Sequence, residues 1–437
     1  MVPVVALLGR PNVGKSTLFN RLTGSRDALV ADVPGVTRDR RYRLADHGGR
    51  AFVVVDTGGM TEAHTEIERE LMRQTEQAIA EADILVLVVD AQEGCVASDQ
   101  EFHARLRTCG KPLLVAVNKV DGRDPHAAVA EFAELGASAL FGISAKRGSG
   151  VTALLDSAIP VEVASTDSDT DPNQIRVSVI GRPNAGKSTL INRLLQSDRL
   201  VVSSEPGTTR DSIDVQLTFR DREMTLVDTA GIRRKSRIEP DSLEKFSVAQ
   251  ALRSVQRAQV AIVVIDAAQG AAEQDAALAA LALDTGRAVV IALNKCDLLG
   301  SEQQAWAAQR LGRRLQFASY LPVVRTSGAK GSGLGRLLQE AVKLHDAAER
   351  SFSTPEVNNF LRRAVQQNPP PRVRGGQVHI RYGHQGGNHP LRLVLHGSRV
   401  ELMPRAYRRY LANRFRKAYR LPGVPVALTC RRTQDRT

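Results

Sequence analysis

Aromatic side chains are scarce in this chain, 4% of its 437 residues with one tryptophan, so its cores are expected to be aliphatic, filled from the 42% of apolar residues. That length allows two or three domains. The four cysteines (Cys95, Cys109, Cys296, Cys430) show neither CxxC spacing nor a paired histidine, which argues against a metal site or a disulfide scaffold and fits a reducing cytoplasm. Long apolar runs are missing too: none approaches the roughly 18 residues of a membrane span. The opening MVPVVALL runs straight into a glycine loop without a charged leader or cleavage site. The expectation is a cytoplasmic protein that neither crosses nor binds a membrane.

Acidic residues are nearly absent from one region only. From Ser353 onward there are 17 Lys plus Arg against three acids (Glu356, Glu401, Asp435), while the whole chain carries a formal charge of +13. The preceding residues are therefore near neutral. A basic excess confined to one segment is the electrostatic footprint of a polyanion partner, in the first place nucleic acid.

What the chain does have is an internal repeat. GRPNVGKST at Gly9 returns as GRPNAGKST at Gly181, PGVTRD at Pro34 as PGTTRD at Pro206, and DTGG at Asp56 as DTAG at Asp228, each 172 residues later. NKVD at Asn118 returns as NKCD at Asn294, and ISAKRGSG at Ile143 as TSGAKGSG at Thr326, with offsets of 176 and 183. The segment between the copies, VEVASTDSDTDPN, has four acids and no base and reads as a solvated linker. In both copies short β-branched runs alternate with helical patterns, such as Val4–Leu8, Ile84–Val89 and Leu113–Val117 in the first, and Ile175–Ile180, Val260–Ile265 and Ala288–Leu293 in the second. Such runs predict an α/β fold with a mainly parallel sheet and helices on both faces. The expected division is residues 1–160 for the first domain, 161–173 for the linker, 174–350 for the second domain and 351–437 for a basic α+β domain. In that last part the sequence predicts strands at Gln377–Arg381 and Leu391–Leu395 and a helix over Pro404–Leu421.

The loop Gly9-Arg10-Pro11-Asn12-Val13-Gly14-Lys15-Ser16-Thr17 follows an apolar strand and opens a helical pattern, the context of a P-loop, and Gly181-Arg182-Pro183-Asn184-Ala185-Gly186-Lys187-Ser188-Thr189 repeats it. Backbone N–H groups there cradle phosphate oxygens at a helix N-terminus. Lys15 and Lys187 are expected to reach the β and γ phosphates, and Ser16 and Ser188 to hold Mg²⁺. A P-loop by itself does not choose between ATP and GTP. The choice comes from Asn118-Lys119-Val120-Asp121 and Asn294-Lys295-Cys296-Asp297, whose Asp can accept two hydrogen bonds from guanine. Sites of this kind discriminate by about 10⁴ to 10⁵. Lys119 and Lys295 would pack along the base, and Ser144-Ala145 and Ser327-Gly328 would offer backbone donors to its O6, with Gly328 loosening the second loop. Asp56-Thr57-Gly58-Gly59 and Asp228-Thr229-Ala230-Gly231 are the DxxG elements that fix Mg²⁺ through water and sense the γ phosphate, and Thr37 and Thr209 complete the metal shell.

Five motifs in order, twice, followed by a basic segment containing PRAYRRYLANRFRKAY at Pro404, resemble one family, the Der (EngA) tandem-G-domain GTPases. The resemblance covers nearly the whole chain. It implies a GTPase used in assembly of the large ribosomal subunit, acting on ribosomal RNA as a monomer, with a KH-like third domain. One departure from the general GTPase pattern matters. After DxxG, where many GTPases carry a water-orienting Gln, stand Met60 and Ile232, which cannot hydrogen-bond that water. The resemblance implies a substitute, with Asn12 and Asn184 helping to bind K⁺ beside the phosphates; the other reading of Asn12 is that it only shapes its loop. Two readings also stay open for Arg38 and Arg210, as cis arginine fingers or as loop contacts, and for Arg233, Arg234, Lys235 and Arg237, as a nucleotide-gated basic patch or a solvated loop. The one GXXG, Gly383 to Gly386, falls between predicted strands, whereas a KH domain places it between helices, so docking by charge and shape is expected instead.

Three functions share these features: a ribosome-assembly switch, a tRNA-modification or translational GTPase, and an RNA-binding scaffold with a structural nucleotide. The duplicated domain favours the first over the second. Intact Lys, Ser, Thr and Asp sets in both copies disfavour the third.

Overall fold

The computed structural model describes residues 3–24, 41–48, 50–57, 75–76, 78–122, 124–159, 174–196, 201–203, 214–228, 248–373 and 376–433. Thr37, Gly58, Gly59, Met60, Thr209, Thr229, Ala230, Gly231 and Ile232 lie outside these residues, as do Arg38, Arg210, Arg233, Arg234, Lys235, Arg237 and the acidic linker. The chain divides into two compact units, one of residues 1–28, 37–169 and 247–253, the other of 29–36, 170–246 and 254–437.

In the first unit, β1 (Val4–Leu8) is buried at all five positions, because it lies between two parallel neighbours in the middle of a sheet covered on both faces. Helix α1 (Lys15–Thr23) follows it, then β2 (Arg41–His47), β3 (Arg50–Asp56), β4 (Ile84–Asp90), α2 (Ala97–Arg107), β5 (Leu113–Asn118), α3 (Pro125–Ala130), β6 (Leu140–Gly142) and α4 (Val151–Ala158). The six-stranded sheet runs β2-β3-β1-β4-β5-β6. All pairs are parallel except the edge, where β2 turns back on β3 as a hairpin. The core is aliphatic as expected, with Phe19 and Phe52 among its few rings.

The second unit repeats this order. It continues with β7 (Ile175–Gly181), α5 (Lys187–Leu195), β8 (Val201–Ser203), β9 (Val215–Phe219), β10 (Arg222–Val227), β11 (Val260–Asp266), α6 (Glu273–Asp284), β12 (Ala288–Asn294), α7 (Ser301–Arg314), β13 (Val323–Arg325) and α8 (Leu334–Ala348). Its sheet is β13-β12-β11-β7-β10-β9-β8, the first arrangement with one extra edge strand.

The basic segment is folded into this same unit. Helix α9 (Thr354–Gln367) starts at a capping box, in which the Ser353 backbone N–H and hydroxyl both donate to Glu356 at 2.8 Å. A short pair, β14 (Arg372–Val373) and β15 (Gly376–Gln377), precedes β16 (His379–Asn388), β17 (Leu391–Ser398), α10 (Arg405–Tyr419) and β18 (Val426–Arg432). β17 pairs antiparallel with β16 and parallel with β18. Gly383 to Gly386 lies inside β16, paired to β17, and not between two helices. Phe352, Phe360 and Phe415 meet edge to face at 5.0 Å and belong to one hydrophobic cluster with Leu337, Ala341 and Leu344 of α8. The second α/β domain and the basic domain thus share a core. They also share backbone hydrogen bonds, Val289 N–H to Gly423 O at 2.9 Å and Gly423 N–H to Tyr320 O at 3.0 Å.

Candidate functional site

Each copy brings a strand end, a glycine loop and a helix N-terminus to one place. Gly14 caps α1 at φ 100° and Gly186 caps α5 at φ 91°, a region that favours glycine. A Cβ at Gly14 would sit 2.2 Å from Asn118 Nδ2, and one at Gly186 2.4 Å from Asn294 Nδ2. The glycines are needed because those two asparagines reach under the loops. Asn118 Nδ2 donates to Val13 O at 2.8 Å while its Oδ1 accepts from Ala145 N–H at 2.9 Å. Asn294 does the same with Ala185 O and Gly328 N–H, both at 3.0 Å. Each asparagine therefore ties the phosphate loop to the base loop.

Lys15 is only 4% exposed and donates to Gly9 O at 2.9 Å and to Arg10 O. Burial pulls its ammonium down to about 8, against the opposing pull of Asp56. Lys187 donates to Arg182 O at 2.7 Å. An ammonium held by carbonyls at a helix start is placed for an incoming phosphate. Beside Lys15, Ser16 Oγ donates to Asp56 Oδ2 at 2.8 Å, so the hydroxyl of one motif and the carboxylate of another converge as hard oxygen donors. Thr57 is turned away, its hydroxyl anchored to Leu7 O at 2.8 Å. In the second copy the Asp228 N–H donates to Asp214 Oδ1 at 3.0 Å. Asn12 and Asn184 stand exposed on the loop tips at φ 65° and 59°. Pro11 is exposed beside Asn12 and Pro183 is half-buried, Val13 and Ala185 are buried beneath the loops, and Thr17 and Thr189 face outward from the first helical turn.

At the base end, Asp121 accepts from Ser144 Oγ at 2.7 Å and pairs with Arg147 at 3.0 Å. The Ser327 hydroxyl holds the Asp297 carboxyl below the usual carboxylate range. Lys119 and Lys295, at φ 66° and 62°, each fold back onto a buried strand-end carboxylate, Asp90 and Asp266, the latter at 2.7 Å. Val120 and Cys296 are buried behind them, and burial pushes the Cys296 thiol up. Gly328 does not loosen its loop: its hydrogen bond to Asn294 matches that of Ala145 to Asn118, and a Cβ there would lie 3.0 Å from the Leu190 backbone nitrogen. Glycine serves close approach of α5.

Two pairs were not read from the sequence. Arg10 and Arg182, the second residues of the loops, bond buried Asp99 and Asp275 at 2.9 Å, fastening each loop to the helix after the next core strand. The Asp90–Lys119 and Asp266–Lys295 pairs were missed as well. Their signal was present, because VVDAQ at Val88 recurs as VIDAA at Val264 with the offset of the NKxD motifs.

A family profile described as 50S ribosome-binding GTPase matches residues 4–119 and again 176–295. A profile described as the KH-domain-like C-terminal part of EngA bacterial GTPases matches residues 351–431. The protein named GTPase Der from Halorhodospira halophila is 47% identical over 439 residues, covering 100% of this chain and 93% of that one. The chain belongs to the Der GTPase family. GTPase Der from Stenotrophomonas maltophilia is 45% identical over 99% of this chain and 93% of its own length, and that from Nitrosococcus oceani 47% over 100% and 94%. Like them, this Der-family chain is a GTP-binding, GTP-hydrolysing protein of two P-loop domains and a KH-like domain. Among the described residues no helix is long and apolar enough to cross a membrane.

Proposed function

We propose that the chain is a cytoplasmic, monomeric switch in assembly of the large ribosomal subunit, in which GTP hydrolysis at two sites sets the arrangement of the domains and thereby docking to ribosomal RNA. The observation that supports this reading is the recurrence of the tie between phosphate loop and base loop in both copies, beside a basic domain fused to one of them. The division of the chain at 161–173 belongs to the same proposal, since two independently read copies need a solvated connection.

In this reading Lys15 and Lys187 neutralise the β and γ phosphates, while Asp121 and Asp297 select guanine. Ser16 and Asp56 fit Mg²⁺, and by the repeat Ser188 with Asp228 would hold it in the second copy, joined by Thr37 and Thr209. Mg²⁺ supplies neutralisation of charge building on the phosphate oxygens. With Met60 and Ile232 unable to orient water, Asn12 and Asn184, exposed on the loops, are the residues that would help to hold K⁺, which would supply charge stabilisation. Hydrolysis is therefore expected to be slow in sodium and faster in potassium; equal rates would remove the K⁺ role.

The test of the switch is sedimentation with large ribosomal subunits under GTP, GDP and a non-hydrolysable analogue, comparing parent, Lys15→Ala and Lys187→Ala. Each variant should lose nucleotide-dependent binding in its own pattern. Parent-like behaviour of both in every nucleotide would sink the proposal.

A further inference from the structure

Within the second unit, a cavity of about 990 Å³ lies where the second GTPase domain meets the KH-like domain. The end of α7 contributes Arg313 and Arg314, the face of α10 contributes Arg409, Arg416 and Lys417, and Arg420 follows at the cap of that helix. The one acid in the lining is Glu273, 3.6 Å from Arg314 with both side chains half exposed, a pairing that neutralises little. The other five cations have no acid within ion-pair distance among the described residues.

Arg416 is the unusual member. It is 9% exposed, its guanidinium lies 3.8 Å from the centre of the Tyr320 ring, and it donates to Asn413, yet Nε has no partner. A buried guanidinium without a counter-anion is costly, and a ring face offsets only part of the lost hydration. Arg409, Lys417 and Arg420 line the same groove and bring it further positive charge. Such a cluster is stabilised when a ligand delivers negative charge, and guanidinium forks match phosphate oxygens in shape as well as sign.

The spacing says which anion. Residues 409, 413, 416 and 417 share one face of α10, and from Arg409 to Lys417 the helix advances about 12 Å. A nucleic-acid strand places one phosphate per roughly 3.4 Å of duplex axis, so this face spans about three or four consecutive phosphates, with Arg313 and Arg314 also lining the groove. We propose that this groove binds the sugar–phosphate backbone of RNA, with the second GTPase domain supplying one wall and the KH-like domain the other. The inference rests on the proposed RNA docking and adds where it happens: in the joint between the two domains, not on the KH-like domain alone.

The test uses the full chain, deproteinised large-subunit ribosomal RNA as the probe, and binding measured across a salt series. In Arg409→Glu/Lys417→Glu, both positions exposed, affinity should fall at least tenfold and the slope of log K against log salt should flatten by about 1.5. The control is Arg392→Glu/Arg431→Glu at exposed positions of β17 and β18 in the same domain, which carries the same charge change and should lose less than threefold. GTP turnover without RNA should match the parent in both variants, which shows that they fold. If the parent binds RNA and the groove pair loses no more than the control, the groove proposal falls alone. If the parent does not bind RNA, the proposed docking falls with it. If inorganic pyrophosphate binds the parent at micromolar level, fails on the groove pair, and RNA binding is unchanged, the groove serves a small polyphosphate and the RNA assignment is overturned.

Discussion

The two nucleotide cradles are near copies in chemistry and different in attachment. In both, an asparagine beneath the loop joins phosphate and base elements at 2.8 to 3.0 Å, and an arginine of the loop grips a buried aspartate at 2.9 Å. The first copy closes on its own core. The second continues through α8 into the core of the KH-like domain and is pinned to it at Val289 and Gly423. The difference teaches that the loop geometry is common to the two copies while the attachment of each is its own.

That contrast can be broken at the joint, where the largest effect is expected. Gly423 sits at φ 67°, and a Cβ there would lie 2.6 Å from Val289 O and 2.7 Å from Leu344 Cδ2. Gly423→Ala should therefore destabilise the second unit by about 2 kcal/mol and leave the first unchanged. Calorimetry of the full chain should show one transition shifted and another fixed; a uniform shift would mean that the units melt together. A smaller effect is expected at the base loop. Gly328→Ala must push α5 away from the second site and should weaken GDP binding there by about tenfold, or about 1.4 kcal/mol, while Ala145→Gly leaves the first site nearly unchanged. Equal, small losses in titration calorimetry of the two variants would show that the loops are interchangeable.

The smallest effect is a pH dependence at the first site. In the nucleotide-free state Lys15 is pulled to about 8, below the ordinary lysine value, so its burial penalty is present below pH 8 and is relieved as pH rises from about 8 toward 10.5. Phosphate needs the charged form. GDP affinity of the first site, measured in a Lys187→Ala background, should therefore fall about fourfold between pH 7 and 8.5. No change would mean that the ammonium keeps its charge despite its burial.

Much of this was readable in advance, for physical reasons. Strands buried on both faces have no polar positions, so Val4–Leu8 and Val260–Asp266 announced themselves within one or two residues of their ends. Glycine loops and NKxD elements use residue types that few other contacts require. The edge strand Arg41–His47 escaped because a strand at a sheet edge can be polar, and RYRLADH is. Arg10–Asp99 escaped for another reason: it joins ordinary charged residues far apart in the chain, and nothing local marks the partner, whereas Lys119–Asp90 was marked only by the recurrence of VVDAQ as VIDAA. Reading Gly328 as a looser alanine was a local inference that a tertiary neighbour, Leu190, reverses. The joint around Tyr320 and Arg416 was invisible for the same reason, since only the fold brings the two residues together.

The shared core of α8 and the KH-like domain also bears on how such a protein can change over generations. Substitutions in Leu337, Ala341 or Leu344 must satisfy two domains at once, whereas Leu154, Leu155 and Ala158, on the closing helix of the first copy, pack within that copy's own cluster. A substitution in the first copy's set therefore answers to one domain's packing. A substitution in the second copy's set answers to two, so a change on either side of the shared core calls for a compensating change on the other.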